Sequence, residues 1–365
     1  MSYIAKTIPV MKMRKTLLGL ASATLLMTSF ASHARAVEVQ EVTSDGGITA
    51  WLIEDHLNPL LTVDFAFKGA GSATDPEGKG GLANMVSGLI DEGAGEMDSQ
   101  TFRTEMEDRS ISISFDAGRD DFSGSMVTLT RERDTAIDLL RLALTEPRFD
   151  DEAVERIRAQ VISGLRRAEN DPGDIAGKAF FKSIFGDHPY ANPVSGTMAS
   201  VSSLNANDFR EFVRHAMARD NLVIGVAGDI TAEELGPLLD EAFGGLPDKS
   251  DLPAIPEVTP KFGGVEVIQQ DIPQSQAVWG QKGIARKDPD FYAAYVMNYI
   301  LGGGGFSSRL TEEVREKRGL AYGVYSYLAD MDKAELITGG VATRNDAIGQ
   351  SLSIIGDEWQ KMKDK

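Results

Sequence analysis

The 365-residue chain carries 37 Lys or Arg against 55 Asp or Glu, a formal charge of −18, and no cysteine. That balance repels nucleic acid and anionic membrane surfaces, so neither is an expected partner. The lack of cysteine excludes disulfides, thiolate metal sites, cysteine nucleophiles and lipid attachment at a thiol.

In chain order, the first 36 residues read as a removable export signal. Lys12, Arg14 and Lys15 form a basic start, Leu17 to Phe30 is apolar or small throughout, and Ala34-Arg35-Ala36 offers a small-x-small cleavage site. The apolar run falls short of the roughly 20 residues that a membrane span wants. The expectation is an exported, periplasmic protein cleaved after Ala36 and soluble afterwards; a retained N-terminal anchor is the alternative. Cleavage removes five basic residues and no acid, leaving 32 basic against 55 acidic residues and a formal charge of −23. About 330 residues remain, enough for two cores.

From Val37 to Leu61 the pattern predicts strands turning at Ser44-Asp45-Gly46-Gly47. Thr62 to Phe67 alternates as a half-buried strand does. Gly81 to Asp91 has helical spacing, with Leu82, Met85, Val86, Leu89 and Ile90 on one face. A helix over Ser99 to Arg109 precedes paired strands at Ser110 to Phe115 and Ser123 to Leu129. Further helices are expected over Asp134 to Leu144, Asp150 to Ala168 and Asn205 to Ala218. An apolar strand follows at Asn221 to Ala227, and Thr231 caps a helix reaching Phe243. Gly244-Gly245-Leu246-Pro247 then opens a stretch holding Pro253, Pro256 and Pro260, which cannot continue a helix or a central strand. This places a first domain at 37–247, a linker at 248–262 and a second domain at 263–365.

The two domains read as a repeat. Asp75-Pro76, a helix and Thr101 to Phe115 match Asp288-Pro289, a helix and Ser308 to Tyr325; Thr130-Arg131 recurs as Thr343-Arg344. The separation is about 210 residues, one domain's length. The first domain runs about 120 residues past Thr130 whereas the sequence ends 22 residues after Thr343, so the expectation is a second domain that is C-terminally incomplete.

The usual catalytic constellations are missing. Beyond the signal the histidines are His56, His188 and His215, with no pair at helical or hairpin spacing, while a hydrolytic zinc site usually takes three protein ligands. His188 reads as a turn residue, and His56 and His215 as surface or packing residues. There is no Gly-x-Ser-x-Gly elbow and no Gly-Lys-Ser/Thr phosphate loop, and Gly69-Ala70-Gly71 lacks the third glycine of a dinucleotide site. Gly302 to Gly305, after a helix predicted over Tyr292 to Leu301, can let a substrate backbone approach closely; a flexible helix stop is their alternative use.

Leu301 to Gly305, Phe306-Ser307-Ser308-Arg309-Leu310 and Arg315-Glu316-Lys317-Arg318-Gly319-Leu320-Ala321-Tyr322 resemble the second-domain signature of the insulinase/pitrilysin family, which includes the mitochondrial processing peptidases. Gly71 to Glu92, His188-Pro189-Tyr190 and Asn221 to Asp229 resemble its first domain. The resemblance implies an α+β fold of two homologous domains, each a mostly antiparallel sheet covered by helices. It also implies a His-x-x-Glu-His zinc motif on the first long helix. Asn84, Ser87 and Gly88 stand at those three positions, and Ser163 and Gly164 stand where a further glutamate ligand belongs, so no metal ligand is expected in this chain. The second-domain pair survives as Arg315 and Tyr322, with Arg318 and Tyr325 as second choices, and Gly303, Gly304, Gly305 and Phe306 are the expected substrate-binding segment. The implied role is the non-zinc subunit of a heterodimeric metallopeptidase. Its zinc would lie on a homologous partner carrying His-x-x-Glu-His, and its substrate would be an unfolded peptide. A catalytically inert scaffold or peptide-binding protein on the same fold is the alternative.

Overall fold

The computed structural model describes residues 38–364; the export-signal assignment lies outside them. Two sheets organise the chain. The first contains β1 (Gln40–Thr43), β2 (Thr49–Glu54), β3 (Leu60–Lys68), β6 (Ser112–Ala117), β7 (Asp121–Leu129) and β8 (Leu222–Gly228), in the order β1-β2-β8-β3-β7-β6. Only β2 and β8 run parallel. A short ribbon of β4 (Gly93–Ala94) and β5 (Met97–Asp98) stands apart.

Alternation sets the buried face. Leu61, Val63, Phe65 and Phe67 of β3 point into the core while Leu60, Asp64 and Lys68 are exposed. Opposite Phe65 lies Gly124 of β7, where a β-carbon would stand 2.3 Å from the ring. The helices α1 (Leu82–Ser87), α2 (Ser99–Arg109), α3 (Arg133–Thr145), α4 (Asp151–Ala168), α5 (Pro172–Phe185), α6 (Met198–Ser203), α7 (Ala206–Ala216) and α8 (Ala232–Phe243) belong to this half. Thr231 accepts the Glu234 backbone N–H, the cap expected of it, and the Glu234 carboxylate accepts the Thr231 N–H in return, which completes a capping box.

The helix read over Gly81 to Asp91 stops at Ser87, because Gly88 caps it and Leu89 and Ile90 both bond back to Val86 in a turn. Their burial matches the reading all the same: Leu82, Met85, Val86, Leu89 and Ile90 are all in the core. α5 fills a stretch for which the sequence reading named no element: Asp171 accepts backbone N–H groups of Gly173 and Asp174, and Pro172 occupies the first helical turn.

The second sheet contains β9 (Gln274–Lys282), β10 (Ala321–Met331) and β11 (Ala334–Arg344) in the order β10-β11-β9, all antiparallel. This reproduces the β6-β7-β3 order of the first half, and α10 (Ile348–Asp364) follows β11 as α3 follows β7. α9 (Phe291–Asn298) is shorter than the helix forecast over Tyr292 to Leu301 and widens into a π-helical turn, Tyr299–Gly303. Its Tyr292, Tyr295, Val296, Tyr299 and Ile300 face outward. A small core joins Leu301, Leu310, Val314, Val324 and Val341 to Ile355 of α10. The molecule is α+β, with two homologous units each built on a mostly antiparallel sheet. Among the described residues no helix is long and apolar enough to cross a membrane.

Candidate functional site

Arg315 and Tyr322 are brought together by three local irregularities. Arg315 sits on a second π-helical turn, Thr311–Glu316, where the Lys317 N–H bonds the Glu312 carbonyl five residues back. The chain leaves this turn through Gly319, whose left-handed φ of 58° suits glycine. β10 then begins with a register shift between Ala321 and Gly323, and the extra residue of that bulge is Tyr322. Thrown outward, Tyr322 is 85 % exposed.

The guanidinium of Arg315 lies 4.7 Å from the centre of the Tyr322 ring and 4.8 Å from that of Phe306. It is held between two aromatic faces, with its Nε 3.3 Å from a Glu316 oxygen. The second-choice Arg318 is committed elsewhere. It bonds the Glu313 carboxylate, which Lys317 and Arg318 together hold down to about 2.

The glycine run has packing reasons of its own. A β-carbon on Gly302 would fall 2.7 Å from the Ser326 amide of β10; one on Gly303 would meet Asn298, and one on Gly304 the Tyr299 carbonyl. Gly305 has a φ of 57° and open space around it. The turn so formed leaves Phe306 74 % exposed beside Arg315.

Tyr322 lies on the wall of a cleft of about 620 Å³ between the start of α5 and the face of the second sheet. Asp171 and Asp174 line one side; Gln276, Tyr325 and Arg344 line the other. Gly340 leaves room for the Tyr325 phenol, which stacks on Tyr327 at 6.2 Å. The roles of Asp171, Asp174 and Gln276 as walls went unread in the sequence, since polar residues at a helix start and on a strand carry no cleft signal of their own.

The first half holds no such constellation. Ser87 donates to the Asn84 carbonyl at 2.9 Å, and a β-carbon on Gly88 would stand 3.3 Å from Ile157 of α4. Ser163 and Gly164 line an open depression with Arg166 and Asn170, which borders the cleft at Asp171 and Asp174. A backbone carbonyl, a hydroxyl and an apolar contact are the wrong donor set for zinc, which takes imidazole, thiolate or carboxylate. Among the described residues no three His, Cys, Asp or Glu are placed to hold a metal. His188 accepts the Tyr190 N–H as a turn residue, His56 pairs with Asp229 at 2.8 Å on the surface, and His215 faces Asp251.

Residues 62–198 match the model of the insulinase peptidase family M16, and 203–365 match that of the peptidase M16 inactive domain. A Helicobacter pylori protein named as a non-peptidase homolog is 27 % identical over 334 residues, 91 % of this chain and 77 % of that protein. An uncharacterized zinc protease of Streptomyces coelicolor is 34 % identical over 230 residues, and the chain spans half of its length. The crystal structure of a peptidase M16 inactive domain from Pseudomonas fluorescens superposes with a TM-score of 0.81 at 28 % identity, covering 89 % of this chain and 79 % of that one. Pitrilysin shares the fold at a TM-score of 0.67 and 17 % identity, over 91 % of this chain and 37 % of its own. With both halves matched and no His-x-x-Glu-His in the sequence, the chain belongs to the insulinase-type (M16) family as a member without the zinc motif.

Proposed function

We propose that this chain is the non-zinc subunit of a two-chain exported peptidase, lending Arg315 and Tyr322 to peptide-bond cleavage at a partner's site. The observation that carries this reading is the stack of Phe306, Arg315 and Tyr322 at the edge of the cleft, with the phenol turned to solvent. A phenol in that position can donate a hydrogen bond to an oxyanion forming at a scissile carbonyl. The stacked guanidinium keeps donors free for substrate carbonyls. Gly303, Gly304, Gly305 and Phe306 would border an extended, unfolded peptide lying beside the pair. The metal would come from a homologous subunit carrying His-x-x-Glu-His, since this chain's own donor set does not suit zinc. Export rests on the charge and apolar pattern of residues 1–36.

Mixing the purified mature chain with its zinc-bearing homologue tests the reading. Cleavage should need both chains, with zinc bound only to the partner. Tyr322→Phe should lower turnover of the pair by roughly 10²-fold, the value of one oxyanion donor. Unchanged turnover would move the second reading forward: an inert scaffold or peptide-binding protein. That reading draws support from the Helicobacter relative described as a non-peptidase homolog.

A further inference from the structure

The two halves meet through equivalent pieces. The β6–β7 turn of the first sheet carries Arg119-Asp120, with Asp121 opening β7, and the β10–β11 turn of the second carries Asp332-Lys333. Between them stands Tyr190, fully buried in a turn. Its hydroxyl donates to the Asp120 carboxylate and accepts the Lys333 N–H at 3.1 Å. The other Asp120 oxygen accepts the Asp332 N–H at 3.1 Å. Lys68 spans the same gap, 2.8 Å from Asp121 and 3.7 Å from Asp332. Arg119 donates to the Tyr190 carbonyl at 3.1 Å and lies 3.9 Å over the Phe181 ring. Around this polar knot Ile184 and Phe185 of α5 pack on Ala334 and Leu336 of β11. Burial raises both the Asp120 carboxyl and the Tyr190 phenol, as expected for polar groups held out of water.

Each acceptor is matched to a backbone N–H of the opposing hairpin, so the knot specifies a direction as well as an attraction. An apolar patch alone tolerates sliding; two hydrogen bonds to successive amides at a hairpin tip do not. The direction matters at the other end of the same strand. Tyr322 is nine residues along β10 from Met331, about 30 Å at ~3.3 Å per residue. A tilt of roughly 2° at the tip therefore moves the phenol by about 1 Å, enough to cost on the order of 10² in rate where alignment limits the reaction.

We propose that Asp120 and Tyr190 are positioning residues: their tip-to-tip joint sets the angle of the β10–β11 hairpin and thereby places Tyr322. The catalytic consequence rests on the function proposed above; the joint itself does not.

The cysteine-free sequence makes the test clean, because Leu57→Cys and Asp357→Cys supply one exposed spin-label site in each half with no background thiol. Electron-electron resonance on the full chain should give a narrow distance distribution. Tyr190→Phe and Asp120→Ala should broaden it at least about twofold, while Asp120→Asn, which keeps an acceptor oxygen, should restore a near-native width. Identical distributions in all four proteins would overturn the joint. With the zinc-bearing partner present, Tyr190→Phe should lower kcat about tenfold and leave KM within about twofold. Broadened distances in a pair that never cleaves would leave the joint standing and remove the peptidase reading. A turnover loss in Tyr322→Phe with native distances and kcat in Tyr190→Phe would do the reverse.

Discussion

Arg315 owes its place to two rings as much as to its charge. A lysine keeps the charge but lacks the planar guanidinium that stacks between Phe306 and Tyr322. Arg315→Lys should therefore lose most of what Arg315→Ala loses in the reconstituted pair; full activity in the lysine variant would show that charge alone matters. Asp75 offers a second residue-level forecast, independent of function. Its carboxylate accepts the backbone N–H groups of Gly81, Leu82 and Ala83, yet burial outweighs these donors and pushes it up to about 6. The folded state thus binds this proton more tightly than the unfolded chain does. The stability it contributes is complete below the ordinary carboxyl range and lost as pH rises through about 6, on the order of 2–3 kcal/mol. Relative to wild type, Asp75→Asn should flatten the urea midpoint between about pH 4 and 6.5. An unchanged slope there would mean that the carboxyl titrates normally.

At the level of elements, the helix read as the counterpart of the zinc helix is closely packed. α1 meets α4 with Gly88 against Ile157, and Ser87 spends its hydroxyl on the helix backbone. Restoring the motif as Asn84→His, Ser87→Glu and Gly88→His should give a protein that binds zinc only substoichiometrically. The new imidazole at 88 must displace Ile157, and no carboxylate stands at Ser163 or Gly164. One tightly held zinc per chain, by elemental analysis, would show that α4 yields more easily than its packing suggests. The sheet is equally tight at Phe65. Gly124→Val should cost about 1–3 kcal/mol by overpacking that ring, read as a lowered unfolding midpoint.

For the whole molecule, the two homologous units are joined rather than merely tethered. Apolar packing of α5 on β11 and the Asp120–Tyr190 knot both link the half that bears the α5 wall of the cleft to the half that bears its sheet wall. Charge acts at this scale too. The strong acidic excess should slow encounter with acidic peptides and speed it with cationic ones, and the difference should shrink as salt rises. Stopped-flow binding of two peptides of opposite charge checks this, and equal on-rates at low salt would rule out steering.

Strand alternation in β3, the cap at Thr231 and the repeated helix–strand order were legible in the sequence because each is set within a few residues by a side-chain period or a backbone donor. The lack of the zinc motif was legible for the same reason: no His-x-x-Glu-His occurs anywhere in the sequence. α5 went unread although its signal was present, because Asp171-Pro172 serves equally as a turn or as a cap with proline in the first turn, and only the packing of Phe180, Phe181 and Phe185 against the second half decides. The sequence by itself determined the fold class, the family and the seven-residue spacing of Arg315 and Tyr322, since these reside in local pattern and residue identity. Only the tertiary structure decided that a bulge turns Tyr322 outward, that Phe306 comes back to clasp Arg315, and that Asp120 and Tyr190 meet a hairpin more than 140 residues away. Such pairings come from the closure of the chain on itself, and no period along it records them.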